Sequence, residues 1–373
     1  MGPLVTPNPE SLVSTTANRY GAVVVGAGVA GLVATKTLIE TSHTVVCLEA
    51  RDRVGGRAHS VAAPGGLIDL GATWFWPGEH LVPTLSSSLG IRIFGQETAG
   101  DALFEAGGHV RRLARNPVDV PAFRFESGAQ SLPARLADEL PEGTVRLNAA
   151  VHAVHVDATG VRVDTRSGSF AADHVIISIP PALAVDAIAF TPELPGDLHQ
   201  LATTTQVWMG GVVKAIAVYD QPFWRGRGLA GAAISYDGPF QEIHDHSGPD
   251  DCPAALFGFA PARAFVGQSS ATIGTRFRTQ LRRLFGPDAD QTRAVEVADW
   301  SVERFTVPTR TLPTASTKTY GHPVFQRATH GCIHWASTET ATANAGHLEG
   351  AIIAGLDAAR SIQTFHPTTI GAD

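Results

Sequence analysis

The chain has 373 residues, more than one hydrophobic core usually serves, so two lobes are expected. It is 44% hydrophobic and 17% charged, which excludes disordered and fibrous classes and describes an ordinary globular protein. The formal net charge is −7 and no basic run is visible, which argues against nucleic acid as a partner.

Residues 1–19 carry neither a basic n-region nor an apolar h-region and read as a flexible lead-in. The first strong signal is Ala22–Val25, an apolar run, followed by Gly26, Gly28 and Gly31 in the spacing GxGxxG. A helix-like run, Val29–Glu40, and a second strand, Thr44–Leu48, follow, and the strand ends at Glu49. The first glycine permits a tight turn, the second lets backbone approach a pyrophosphate, and the third lets helix and strand pack closely. The N–H groups at the helix start favour diphosphate charge. Glu49 lies about 20 residues beyond the first glycine, where a carboxylate accepts hydrogen bonds from a ribose diol. Together these elements predict a dinucleotide site.

Further along, Ser131–Leu140 reads as a helix and Val145–Asn148 as a short strand. Val151–Val156 and Val161–Thr165 alternate around Asp157-Ala158-Thr159-Gly160, which predicts a hairpin. Val175–Ile179 is a continuous apolar run closed by Pro180-Pro181, as in a buried parallel strand. Val212–Tyr219 reads as a buried strand interrupted by Lys214, which shares a face with Val212, Ile216 and Val218. An ammonium on an apolar face must be paired or neutralised, and desolvation lowers its pKa. A lysine snorkelling from a strand edge is the bland alternative. His244-Asp245-His246 reads as part of a polar loop bounded by Gly and Pro, and no metal site is expected there. Ala271–Leu284 is helix-like. The three cysteines, Cys47, Cys252 and Cys332, form no CxxC and suit a reducing compartment. With no apolar run long enough to span a bilayer, the expectation is a soluble, cytoplasmic protein without a membrane partner.

Several segments carry a family resemblance. Glu49-Ala50-Arg51-Asp52-Arg53-Val54-Gly55-Gly56-Arg57 resembles the stretch after the second strand in flavin-dependent amine oxidases. Asp69-Leu70-Gly71-Ala72-Thr73-Trp74 resembles that family's next glycine stretch, which passes the flavin ring. Ile333–Ala341, containing Glu339, resembles a later flavin-contacting segment, and Gly346-His347-Leu348-Glu349-Gly350-Ala351 opens a stretch resembling the closing helix. The matches are in order along almost the whole chain. They imply FAD, held by Gly26, Gly28, Ala30, Gly31, Glu49, Ala50, Arg51, Gly55, Gly56, Arg57, Gly71, Ala72, Thr73, Trp74, Val151, Glu339 and Leu348. The cysteine motif that tethers flavin in some relatives is not recognisable, so the cofactor is expected to be non-covalent.

The stretch Gly210–Lys214 with Pro222-Phe223-Trp224-Arg225 resembles the segment that carries the family's active-site lysine, which holds a water beside flavin N5. Trp300 matches a tryptophan bordering the same pocket. His347 takes a place where many members have an aromatic wall for the amine; an imidazole there could also exchange a proton. For the second wall Tyr320 is the only suggestion. One departure stands out. Between the first two cofactor segments the family carries a sizeable helical insertion, and here only Leu81–Phe125 is available. The substrate lobe is therefore reduced, and either an open site or coverage by a second subunit, as a homodimer, would follow.

The expected fold is α/β: a Rossmann-like FAD-binding domain (20–80, 126–205 and 327–365) with a smaller mixed-sheet substrate domain (81–125 and 206–326), both discontinuous, and flexible termini at 1–19 and 366–373. The implied reaction is oxidation of an amine's C–N bond with dioxygen as the final acceptor. Two rivals are an FAD-dependent desaturase or dehydrogenase acting on a larger metabolite, and a flavin-binding subunit without turnover. The substrate is an unnamed small-molecule amine or related metabolite.

Overall fold

The computed structural model describes residues 19–309 and 317–364. Of the termini expected to be flexible, 1–18 and 366–373 lie outside the described residues, whereas Arg19 pairs with Asp173 at 2.6 Å. The expected third cofactor segment reaches 365, one residue beyond those described.

The glycine-rich opening builds the centre of an eight-stranded sheet. Tyr20–Val25 lies parallel to Val45–Leu48 on one side and to Gly168–Ile177 on the other. All four residues of Val45–Leu48 are buried, as the unbroken apolar runs of a covered parallel sheet require. Val145–Arg146 continues the parallel edge. The predicted hairpin is Val151–Asp157 with Gly160–Thr165, antiparallel, and it attaches to Gly168–Ile177. That strand is longer than the apolar run 175–179 suggested, and its far half pairs in parallel with Ile333–Trp335. Chain segments far apart in sequence therefore meet in one sheet.

The helix Val29–Glu40 packs against the C-terminal helix Leu348–Gln363 on one face of this sheet. Small residues set the spacing. A Cβ on Gly355 would lie 2.4 Å from the Ala30 carbonyl oxygen, and one on Gly31 would lie 2.0 Å from the Gly26 oxygen.

A second, seven-stranded sheet runs in the order Ala294–Asp299, Val212–Tyr219, Ala254–Pro261, Glu242–Asp245, Leu229–Ser235, Asp101–Ala106, His109–Leu113. The helix Ser270–Phe285 covers it through Ile273, Phe277 and Leu281. The segment 81–125 contributes one helix, Leu81–Ser88, and two strands of this sheet, so it is short and mostly extended.

The His244-Asp245-His246 reading needs correction: these residues are not an exposed loop. Glu242–Asp245 is a strand paired with Ala254–Pro261, and all three side chains are buried. Their polarity is answered inside the protein. His244 Nδ1 is 2.5 Å from Asp119, Asp245 accepts from Trp224 Nε1 at 2.9 Å, and His246 Nε2 accepts the Asp69 N–H at 2.9 Å. Buried polar groups are retained when they are paired in this way. Among the described residues no cluster of three or more His, Cys, Asp or Glu side chains is placed to hold a metal ion, and no helix is long and apolar enough to cross a membrane.

Candidate functional site

A long groove begins at the glycine turn. Gly26, Gly28, Ala30, Glu49, Arg51, Gly55, Gly56 and Arg57 line it, and it ends at Ala72 and Leu348. Gly26 has φ +104, which favours glycine. A Cβ on Gly28 would meet no protein atom within 4 Å, so that backbone faces open space at the head of a helix whose first turn has no side-chain cap. This is the geometry that receives a diphosphate. A Cβ on Gly71 would lie 1.8 Å from the Arg57 oxygen, so the two flavin-side glycine stretches close on each other through that residue.

Glu49 is buried at the end of its strand. Its carboxylate accepts the Ala27 N–H at 2.8 Å and the Arg51 N–H at 2.9 Å, so it ties the glycine turn to the segment that follows it. Ala50 and Val151 line a second hollow that continues past Glu49 and Arg51. Arg57 forms a two-pronged pair with the fully buried Glu339, at 2.5 and 3.0 Å. Glu339 therefore acts through Arg57 and does not itself line the groove. The buried Arg51 Nε and Ser337 Oγ have no protein partner. A glycine cradle, an uncapped helix start and an unpaired guanidinium nitrogen on the groove wall fit a dinucleotide diphosphate. None of the three cysteines lines the groove, and burial pushes the Cys47 thiol up to about 12.

The groove opens into a cavity of about 740 Å³. Ala72, Met209, Gly346, His347 and Leu348 belong to both. Gly71, Thr73 and Trp74 form one side, Trp76 and Trp208 stand near His347, and Glu242 and Phe259 come from the second sheet. Glu242 is the carboxylate of this wall. The His244 ring, whose Nε2 lies 3.8 Å away, holds it below the usual carboxylate range.

Lys214 lies directly behind this wall and is 0% exposed, so it does not snorkel. Its Nζ donates to the Gly71 oxygen at 3.1 Å and to the Thr73 hydroxyl, and it sits 4.4 Å from the Phe257 ring centroid. Burial lowers its pKa to about 7; Arg124 pushes the same way, while Asp69 opposes. Trp300 stands one layer back, with its indole N–H donating to the Leu70 oxygen at 3.0 Å and its ring packed on Val207 and Met209.

His347 is at the head of the closing helix and lines the cavity. Its ring lies 4.7 Å from that of Trp76, and Nδ1 is 2.6 Å from Glu79 Oε1. Tyr320 is not on the wall: its hydroxyl donates to the Gln206 oxygen at 2.7 Å and accepts the Trp208 N–H at 3.1 Å, so it braces Trp208. Trp76, Trp208, Glu79 and Glu242 were not singled out from sequence. The available signal was weak: two tryptophans and an acid within Trp74–Glu79, and a tryptophan six residues before Lys214.

The chain resembles known flavoproteins along most of its length. The family profile "Flavin containing amine oxidoreductase" matches residues 96–363, and an "NAD(P)-binding Rossmann-like domain" profile matches 24–86. A Mycobacterium tuberculosis protein carrying the name flavin-containing monoamine oxidase AofH is 31% identical, with 91% of this chain and 96% of that protein covered. That alignment runs over 443 positions, more than the 373 residues of this chain, so the relative carries internal segments absent here. The putrescine oxidase of Kocuria rosea is 25% identical over 95% of this chain and 97% of its own. Among solved structures, a putrescine oxidase bound to putrescine superposes with a TM-score of 0.83 at 22% identity, over 93% of this chain and 100% of the other. Cyclohexylamine oxidase from Brevibacterium oxydans gives 0.81 at 21% identity, over 92% and 99%. The chain belongs to the flavin-containing amine oxidoreductase family and is an FAD-dependent, amine oxidase-like enzyme.

Proposed function

We propose that the chain oxidises a small amine at its α C–H, giving an imine that hydrolyses to a carbonyl compound. One observation carries this reading: the glycine-lined groove and the aromatic cavity share Ala72, Met209, Gly346, His347 and Leu348, so a flavin ring at the end of the groove would form the cavity floor. When bound, FAD supplies the two-electron acceptor for the C–H hydride equivalent, and dioxygen carries the electrons on to hydrogen peroxide.

The chain's own residues bind, orient and tune. The glycine turn, Ala30 and the first helix N-terminus hold the diphosphate; Glu49 holds the turn and meets the ribose; Arg57, fixed by Glu339, adds positive charge beside the groove. The helix start at Leu348 presents N–H groups to negative charge at the ring end. Lys214 acts from behind Gly71 and Thr73, fixing that segment and placing a titratable ammonium near the reacting centre. Trp74, Trp76, Trp208 and Phe259 exclude water and offer ring faces to a cation. Glu242, kept ionised by His244, would pair with a second cationic group of the substrate, which favours a diamine or an amine with a distant cation. Putrescine oxidases among the relatives support that choice. The free cysteines suit a cytoplasmic enzyme.

The test is anaerobic mixing with putrescine, cyclohexylamine and benzylamine, followed by admission of air. The expected result is bleaching of the flavin absorbance by at least one amine and peroxide release on reoxidation. Bleaching that recovers only with an added electron acceptor would favour the dehydrogenase reading, and no bleaching by any amine would overturn the proposal.

A further inference from the structure

A second acidic group belongs to the cavity without lining it. Glu79 lies in the turn before the helix Leu81–Ser88 and is 5% exposed. Its two oxygens are used separately. Oε2 accepts the Trp76 N–H at 2.9 Å, and Oε1 lies 2.6 Å from His347 Nδ1. A carboxylate oxygen accepts, so in the neutral imidazole this contact selects the tautomer with its proton on Nδ1 and its lone pair on Nε2. The ring is held a second way by Trp76, at 4.7 Å between centroids. The His347 backbone is fixed as well, since its carbonyl accepts from the Thr338 hydroxyl at 2.7 Å. The side chain does not cap its own helix, and it remains 43% exposed at the junction of groove and cavity.

The neighbouring charged groups are otherwise committed. Glu349, two residues on, accepts the N–H groups of His80, Leu81 and Val82 at 2.9, 2.9 and 2.8 Å. Arg57, across the groove, is paired with Glu339. Glu242 is on the opposite strand beside His244. His80 follows Glu79 in the chain, and its N–H is one of the three held by Glu349. Glu79 is thus the carboxylate that orients His347.

We propose that Glu79 and His347 form a proton-accepting dyad that neutralises the substrate's ammonium before oxidation. The idea rests on the amine-oxidising reading of the cavity. Most simple amines are protonated at neutral pH, and a protonated nitrogen has no lone pair to assist loss of the α hydrogen. In the step, one N–H bond of the ammonium breaks and a new N–H bond forms at His347 Nε2. The bonding pair stays on the amine as its lone pair. The imidazolium that results faces the Glu79 carboxylate, which stabilises it, and later returns the proton to water at the exposed ring edge. No electrons change owner. His347 is the catalytic residue here, and Glu79 is a positioning residue that sets its tautomer.

Glu79→Gln separates this from a merely structural role. An amide must present its carbonyl to one contact and its NH₂ to the other, so with the carbonyl kept on the Trp76 N–H it donates to Nδ1 and moves the imidazole proton to Nε2. With putrescine as probe and FAD content matched by absorbance, kcat/KM near pH 7 should fall about 100-fold, the low end for general base catalysis. The deficit should shrink as pH rises towards the amine's own pKa, where solution supplies neutral amine. His347→Phe should show the same high-pH recovery while keeping an aromatic wall. A uniform loss at every pH, or a profile matching the parent, would overturn the dyad while leaving the amine oxidase reading intact. A second measurement needs no turnover: ¹⁵N shifts of labelled histidine, assigned with His347→Phe, should show His347 protonated at Nδ1 in the parent holoenzyme. A proton found on Nε2 would overturn the proposal even if no amine tried is a substrate.

Discussion

Lys214 Nζ donates to the Gly71 carbonyl oxygen at 3.1 Å, joining the interior of the substrate-side sheet to the glycine stretch on the cavity wall. A fully buried ammonium held by one carbonyl and one hydroxyl is poorly compensated, which is why its pKa falls to about 7. The unfolded chain would bind this proton up to the ordinary lysine range, near 10.5. Between about pH 7 and 10.5 the unfolded state therefore holds more protons, and stability rises with pH. The Tm of the parent relative to Lys214→Met should increase over that window. Equal pH dependence in the two proteins would refute the buried charge. Lys214→Met should also slow turnover with FAD still bound, chiefly in the oxygen half-reaction, which stopped-flow measurement of both half-reactions resolves.

Glu49 offers a different balance. Its carboxylate already satisfies the Ala27 and Arg51 N–H groups, so removing it frees two donors in addition to the ribose contact proposed for it. Glu49→Ala should weaken FAD binding by about 1–3 kcal/mol, the scale for losing a charged hydrogen-bonding partner. Because the glycine turn loosens too, the apoprotein should also melt earlier. Titration of apoprotein with FAD and a melt without FAD separate the two effects. Unchanged FAD affinity would remove Glu49 from the cofactor site.

How much of this could be read from sequence depends on how local the feature is. The glycine turn, both flanking strands and Glu49 lie within about 30 residues, and each residue is constrained by its neighbours, so spacing alone was sufficient. Lys214 was legible because one charge broke an apolar strand. Trp208, Glu242 and Glu79 were not, because the cavity gathers them from separate elements and none carries a local pattern. His244-Asp245-His246 misled for a related reason. Polar residues next to Gly248 and Pro249 look like a loop, yet pairing with Ala254–Pro261 buries them, and their partners, Asp119, Trp224 and the Asp69 N–H, are remote in sequence. Tyr320 lies near the cavity, but its hydroxyl is spent on bracing Trp208.

The cofactor-side sheet contains an acid-sensitive point. His334 Nε2 is 3.2 Å from His174 Nδ1 on the adjacent strand, and burial, reinforced by His174, lowers the His334 pKa to about 4. A depressed folded pKa means that the unfolded state takes up the proton first. The contribution to stability is complete above pH 6.5 and is lost as pH falls towards about 4. One pKa unit is about 1.4 kcal/mol, so roughly 3 kcal/mol should disappear across that range. His334→Leu should flatten the acid side of a Tm-against-pH curve, and an unaltered slope would locate the acid sensitivity elsewhere.

The two glycines Gly28 and Gly31 should respond in opposite ways to the same change. A Cβ at Gly28 meets no protein atom within 4 Å, whereas one at Gly31 lies 2.0 Å from the Gly26 oxygen and 2.5 Å from Ser178 Oγ. The first position is open towards the groove and the second is closed by the strand it packs on. Gly28→Ala should leave the melting temperature of the apoprotein nearly unchanged, because the extended backbone at Gly28 admits alanine and the smaller unfolded-chain entropy of alanine offsets the preference for glycine at an N-cap. It should nevertheless lower FAD affinity, since the new methyl group stands where the diphosphate approaches the backbone. Gly31→Ala must push strand and helix apart, at about 1–3 kcal/mol for overpacking, and should lower the apoprotein Tm. Any loss of FAD would then follow from the distorted turn. Melts without cofactor and FAD titrations on both variants decide the matter: if Gly28→Ala destabilises the apoprotein as much as Gly31→Ala, or binds FAD as the parent does, the groove does not receive the diphosphate at Gly28.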